Sequence, residues 1–227
     1  MTQTWKIAAG RAWRYLLSPA LKKWDTRNWL RIRQIECWES HLSIVQPNSV
    51  LEISPGSWSS WKRFNNYTAV SFPDFNICSD ALSEQFDVVI ADQVLEHVEF
   101  PSEAISNMRL MTRPGGWVMI ATPFLFRVHG RPNDYCRWTS HGLRTLLVAA
   151  GFAEDQIWVD SWGNAICARA HTRGQVKAYG FWRPMHNDPE YPMMVWAFAR
   201  NSPAGTHPLP SDASNHERLN DVDKLNI

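Results

Sequence analysis

The chain is predicted to be an α/β protein, with a mostly parallel sheet carrying helices on both faces. Two observations predict this class. Seven short apolar runs, at 50–53, 67–70, 75–78, 86–91, 117–121, 156–159 and 194–199, read as strands. Helical stretches of about ten residues lie between several of them, the pattern of a parallel sheet with crossover helices. A length of 227 residues with 44% hydrophobic residues suits one domain with extensions and is too apolar for a disordered chain.

Taken in order, residues 1–46 read as helical. Trp5, Ala8, Ala9, Ala12, Trp13 and Leu16 recur at helical spacing until Pro19 breaks the pattern. A second helix over 27–45 gathers Trp29, Ile32, Ile35, Trp38, Leu42 and Val45 on one face. These helices are expected to form an N-terminal lid, and residues 47–201 the sheet domain. Within that domain, a helix is expected over 59–65 after the first strand, another through Leu95 and Val98, and an amphipathic one over 101–111. Thr139 is placed to cap a helix that ends at Gly151, a glycine just past the C-terminus. Residues 202–227 are rich in Ser, Pro, Asn, Asp and charge, and read as a disordered tail.

Composition excludes several classes. The net charge of +1 makes no electrostatic case for nucleic acid. Lys6, Arg11, Arg14, Lys22, Lys23, Arg27, Arg31 and Arg33 do outweigh Asp25, so the N-terminal region can attract an anion or present a solvated basic face. Cys37, Cys78, Cys136 and Cys167 are far apart, with no C-x-x-C, so neither a zinc site nor a disulfide framework is expected and no metal is assigned. Reduced thiols suit a cytoplasmic protein. No apolar run is long enough to span a membrane, and the first residues lack the unbroken apolar stretch of a signal peptide.

The chemistry is expected where the strands end, because ligands of such sheets bind beyond the carboxyl ends of the strands. Val50-Leu51-Glu52-Ile53-Ser54-Pro55-Gly56-Ser57-Trp58 is a strand running into a turn. It resembles the cofactor motif of class I S-adenosylmethionine-dependent methyltransferases. That motif has an acid at the strand end followed by three alternating glycines. Glu52 fits the acid and Gly56 the middle glycine, while Ser54 and Trp58 replace the other two. Further segments extend the resemblance over about 48–200. Residues 86–98, with Asp92-Gln93 and Glu96-His97, resemble the fourth-strand region. Arg113-Pro114-Gly115-Gly116 resembles the turn into the fifth strand. Arg137-Trp138-Thr139 and Ala150-Gly151-Phe152 resemble the helix before the sixth.

The resemblance implies a Rossmann-like methyltransferase fold and S-adenosylmethionine as cofactor. Glu52 would hold the cofactor's ammonium, and the turn Ser54, Pro55, Gly56 and Ser57 its carboxylate. Ser71, Phe72 or Asp74 would meet the ribose, since Ser71 stands where the family has an acid. Asn76 and Ile77 would meet the adenine, and Asp92 and Gln93 would lie between cofactor and acceptor. The loop after the fifth strand supplies the acceptor-site candidates His129, Asn133, Asp134 and Tyr135, or else is structural, with Asp134 paired to Arg137 or Arg131. His97 reads as structural, one turn beyond its strand. Of thirteen tryptophans, Trp29, Trp58, Trp61, Trp162 and Trp182 are candidates to face the sulfonium.

The expected activity is methyl transfer to a small-molecule or carrier-bound acceptor of specialised metabolism. A second reading keeps the cofactor but displaces methylthioadenosine with the cofactor's own amine, as azetidine-2-carboxylate synthases do. A third is a non-catalytic binding protein of the same fold, supported only by Ser54 and Trp58. The turn lacks G-x-G-x-x-G, which disfavours a nicotinamide dinucleotide.

Overall fold

The structure, a computed structural model, describes residues 28–56, 58–60, 64–130, 133–173 and 183–202. The N-terminal helix expected before Pro19, most of the C-terminal tail, Ser57, Trp61 and Trp182 lie outside the described residues. The described elements are α1 (Ile32–Val45), β1 (Ser49–Ile53), β2 (Asn66–Val70), β3 (Phe86–Asp92), α2 (Pro101–Leu110), β4 (Thr112–Pro123), α3 (Ser140–Ala149), β5 (Ile157–Trp162), α4 (Ala165–Thr172) and β6 (Met194–Arg200).

One sheet runs in the order β2-β1-β3-β4-β6-β5. The first four strands pair in parallel, and β6 is antiparallel to both β4 and β5. The chain leaves β1 for β2 on one side and returns to β3 on the other. The carboxyl ends of β1 and β3 are therefore a switch point, with Ile53 paired to Ala91. The central strands are buried on both faces. Val88, Val89 and Ile90 on β3 and Met194 and Val195 on β6 have no exposed surface, as expected of strands covered by helices on both sides.

Each face has its own core. On one, Ala104, Ile105 and Met108 of α2 and Leu143 and Leu147 of α3 pack on Leu51, Val89 and Ile120. On the other, Trp38 and Leu42 of α1 and Cys167 of α4 pack on Val50, Ile90, Trp117 and Phe198. The helix ends follow from local chemistry. The Thr139 hydroxyl accepts from Gly142 N at 3.1 Å, and the Asn164 side chain accepts from Cys167 N at 2.8 Å. Gly151, just past α3, has φ +92°, which only glycine adopts without strain.

The structure corrects three expectations. Six strands, not seven, form the sheet among the described residues. The expected strand at 75–78 is a pair of turns. Asn76 O accepts from Ser79 N and Asp80 N, and Asn76 Oδ1 accepts from Cys78 N. Local Asn and Asp bonding thus prevails over the strand preference of Phe75 and Ile77. The helix expected through Leu95 is a short 3₁₀ turn, Leu95–His97, whereas most of the one expected over 59–65, at 61–63, lies outside the described residues and is preceded by a 3₁₀ turn at Trp58–Ser60. The second of the helices assigned to a lid, α1, is a layer of the fold, with Trp38 fully buried on the sheet.

Candidate active site

A cavity of about 600 Å³ opens at the switch point. Ile53 and Ser54 wall it from β1, Gln93 and Val94 from β3, and Phe72, Asn76 and Ile77 from the loop after β2. His97, Asn133 and Tyr135 close its far side. The cavity thus joins residues assigned to the cofactor with residues assigned to the acceptor.

The turn after β1 is held from beneath. Glu52 is buried, and its Oε1 accepts from Gly56 N at 2.9 Å while Oε2 accepts from the Tyr67 hydroxyl at 2.5 Å. Glu52 therefore fixes the turn's shape, and its oxygens are already engaged before any ammonium arrives. Burial, reinforced by the Glu52 bond, holds the Tyr67 phenol well above its ordinary range. Ser54 adopts φ +55° and donates its N–H to Val70 O at 2.7 Å, so at the place of the motif's first glycine it holds a left-handed shape that glycine adopts freely. Pro55 and Gly56 are exposed beyond it.

Trp58 does not flank the cavity as an open glycine site. It is 2% exposed, packs its ring 5.3 Å from that of Trp38, and donates its indole N–H to Asp92 Oδ2 at 2.8 Å. Arg31, at the start of α1, pairs with the same oxygen. Burial pushes the Asp92 carboxyl above its ordinary value, and Arg31 and Trp58 oppose that rise. The candidates Trp29 and Trp162 are also core residues, at 1% and 3% exposure.

Ser71 and Asp74 are exposed and do not wall the cavity, whereas Phe72 does so while two-thirds exposed. Ser71 instead accepts from Phe75 N at 3.0 Å through its carbonyl. In the acceptor loop the structural alternative holds for Asp134. Arg137 grips it through both terminal nitrogens, and its Oδ2 accepts from His129 N at 2.8 Å. These bonds keep its carboxyl well below the usual carboxylate range, so it is a poor proton acceptor. Asn133 Nδ2 donates to the Tyr135 hydroxyl at 2.8 Å.

Sequence reasoning passed over three contributors. Tyr67 reaches Glu52 because β2 lies parallel beside β1. Arg31 reaches Asp92 only because α1 lies on the sheet. His97, read as structural, walls the cavity. Its Nδ1 lies 2.5 Å from Asn133 O and its Nε2 lies 3.8 Å from Glu96 Oε1. Glu96 is fully buried, and burial raises its carboxyl to about 7.

The residues present fit the cofactor that the resemblance implies. Ile77 and Val98 offer apolar walls for a base, and Phe72 one for the ribose. Asp92 Oδ1 and Gln93 Nε2 are buried polar atoms without a well-formed hydrogen bond, at the end of β3 where the reacting part of the cofactor would lie. A Cβ on Gly56 would come no closer than 3.9 Å to its surroundings, so the turn is open enough for a ligand's backbone contacts.

The comparison with protein families agrees. The profile of the methyltransferase domain family matches residues 25–157. No curated protein sequence matches significantly. Similar solved structures include an S-adenosylmethionine-dependent methyltransferase from Mesorhizobium loti, 13% identical over 71% of this chain and 96% of that one, with a TM-score of 0.47. Phosphoethanolamine N-methyltransferase 2 from Haemonchus contortus, in complex with S-adenosyl-L-methionine, is 10% identical over 73% of this chain and 53% of that one, with a TM-score of 0.47. The [4+2]-cyclase SpnF is 15% identical over 75% of this chain and 81% of that one, with a TM-score of 0.45. The matched profile spans more than half of the chain, which therefore belongs to the methyltransferase domain family, with S-adenosylmethionine as cofactor.

Proposed function

We propose that this methyltransferase acts on a small-molecule or carrier-bound acceptor that enters the cavity beside His97, Asn133 and Tyr135. One observation carries the reading: the cofactor turn and these three side chains wall a single cavity, whose 600 Å³ lies within the range of small-ligand sites. The cofactor supplies a methyl group on a sulfonium. Ser54, shaped with Gly56 by Glu52, receives the cofactor's amino-acid end at the wall of the cavity, while the N–H groups of both residues stay bonded within the protein, to Val70 O and Glu52 Oε1. Asn76 and Ile77 receive the adenine, with Phe72 against the ribose. Gln93 stands between cofactor and acceptor.

Alignment of the two reactants supplies much of the rate in such a displacement. Asp134 positions the loop by holding Arg137 and the His129 backbone. That leaves His97 and Tyr135 as the groups able to orient or deprotonate an acceptor. The four free cysteines support a reducing, cytoplasmic setting. Among the described residues no helix is long and apolar enough to cross a membrane.

The test is incubation of the purified chain with S-adenosylmethionine labelled in its methyl group, first alone and then with pooled small-molecule fractions, followed by mass spectrometry. S-adenosylhomocysteine and a labelled product appearing only with an added fraction support the reading. Methylthioadenosine formed from the cofactor alone would overturn it in favour of intramolecular displacement.

A further inference from the structure

We propose that Glu96, His97 and His129 form a binding site for a divalent transition-metal ion at the wall of the cavity. Glu96 and His97 are neighbours in the turn after β3, and the loop after β4 brings the distant His129 to them. One donor atom from each lies within 4.8 Å of the others, and the imidazole rings of His97 and His129 stand 5.1 Å apart at 75°. Two imidazoles and a carboxylate are a donor set that suits zinc, cobalt or iron better than magnesium or calcium.

An independent feature points to a cation. Glu96 is 0% exposed, and neither carboxylate oxygen reaches a hydrogen-bond partner beyond its own backbone amide. A buried carboxylate that no hydrogen-bond donor reaches, with only His97 at 3.8 Å, is costly, and a metal ion is one of the few groups that satisfies it. Arg137 lies nearby, but its terminal nitrogens are spent on Asp134.

The second shell fits as well. His97 Nδ1 is 2.5 Å from the Asn133 carbonyl, which accepts its proton and leaves Nε2 as the ligand, on the side of Glu96 Oε1. His129 Nδ1 is 3.3 Å from both the Arg127 carbonyl and Asp134 Oδ2, with Arg137 Nη2 at 3.5 Å. An ion on Nε2 fixes the tautomer in which Nδ1 carries the proton, and those two oxygens stand ready to accept it. Ligands about 2 Å from an ion lie about 3 Å from one another, so binding draws the three side chains together by small rotations.

Three protein donors leave coordination positions open. His97 walls the cavity, so an open position there can take an oxygen of the acceptor. This last step rests on the methyl-transfer reading; the ion site itself does not.

The experiment strips the full-length protein with a chelator and titrates it with Co²⁺ alone, without cofactor or acceptor. The expected result is one equivalent bound, with visible d–d absorption. Affinity falls by at least about tenfold in His129→Ala and in Glu96→Gln, and is unchanged in His141→Ala, an exposed histidine on α3. Imidazole NMR of the wild-type protein with Zn²⁺ gives the same answer without any substitution: the signals of His97 and His129 shift and those of other histidines do not. Absence of stoichiometric uptake, uptake undiminished in both variants, or shifts at other histidines would each overturn the site. None of these outcomes bears on methyl transfer, and an inactive enzyme that still binds Co²⁺ leaves the site standing.

Discussion

The indole N–H of Trp58 donates to Oδ2 of Asp92 across 2.8 Å, and so ties the turn after β1 to the carboxyl end of β3. Arg31 grips the same oxygen from the start of α1. Three separated segments converge on one carboxylate at the floor of the switch point, which has the effect of a rivet under the cofactor cavity.

Removing Arg31 should loosen it. Arg31→Ala leaves Asp92, whose side chain is only 5% exposed, with Trp58 as its main partner. Breaking a buried pair in this way costs about 3 kcal/mol. The sign of the pH dependence is fixed by the carboxyl's raised pKa. A carboxyl whose folded value lies above its unfolded value favours the folded state most when protonated, and loses that advantage as pH rises through the folded value. Loss of Arg31 raises it further. The stability deficit of the variant should therefore shrink from about pH 8 to about pH 5. Urea denaturation at both values measures it, and a deficit that grows on acidification would contradict the assignment.

The departures from the glycine pattern behave as opposites. Ser54 has the left-handed φ of +55° that glycine adopts freely, so Ser54→Gly should gain about 1 kcal/mol and keep cofactor affinity. Trp58 is core, packed at a tilt against Trp38 and bonded to Asp92. Trp58→Gly should lose about 4 kcal/mol or more, even though it restores the family's third glycine. Thermal melts of the two variants decide it. A Trp58→Gly protein as stable as the wild type would show that the indole is not structural.

How much of this was legible follows from range. The sheet was legible because its apolar runs are long and separated by helical periods, and Glu52 was legible as a motif residue. The failures share one cause. Asn76 reads as strand beside Phe75 and Ile77 until its side chain is seen bonding Cys78 N. Asp134 reads either as an acceptor-site residue or as the partner of Arg137 or Arg131, and only the folded loop shows the Arg137 pair. Local periodicity carries no record of such side-chain bonds. The convergence of Arg31 on Asp92, or of His129 on His97, depends on which loops the sheet order brings together.

Tyr67 should titrate late. Its hydroxyl is bonded to Glu52 at 2.5 Å, and burial holds the phenol far above 10, the ordinary value. A group raised in the folded state contributes stability that is complete below the unfolded pKa of about 10 and is lost as pH climbs through the folded value. Spectrophotometric titration should therefore show one tyrosine unionised at about pH 11 in the native protein and ionised in urea. Tyr67→Phe should abolish that late step. A native titration complete near pH 10 would mean that the Glu52 bond is absent in solution.

Gln93 offers the most direct check on where the cofactor lies. It stands at φ +62° at the end of β3, anchored by its N–H to Ala121 O at 2.9 Å, and faces the cavity. Its Nε2 is buried beside Asp92 without a well-formed hydrogen bond. A buried amide whose one protein contact, to Asp92, is imperfect adds little to the protein alone and gains a full hydrogen bond when a ligand supplies the acceptor. Gln93→Leu should therefore leave the melting temperature of the ligand-free protein unchanged or raise it, while weakening S-adenosylmethionine about tenfold, the equivalent of one lost hydrogen bond of about 1.4 kcal/mol. The same substitution with affinity retained and stability lost would place Gln93 among the structural residues and move the cofactor away from the end of β3. Paired calorimetry and thermal melts on the one variant separate these cases, because a purely structural amide cannot lose affinity while gaining stability.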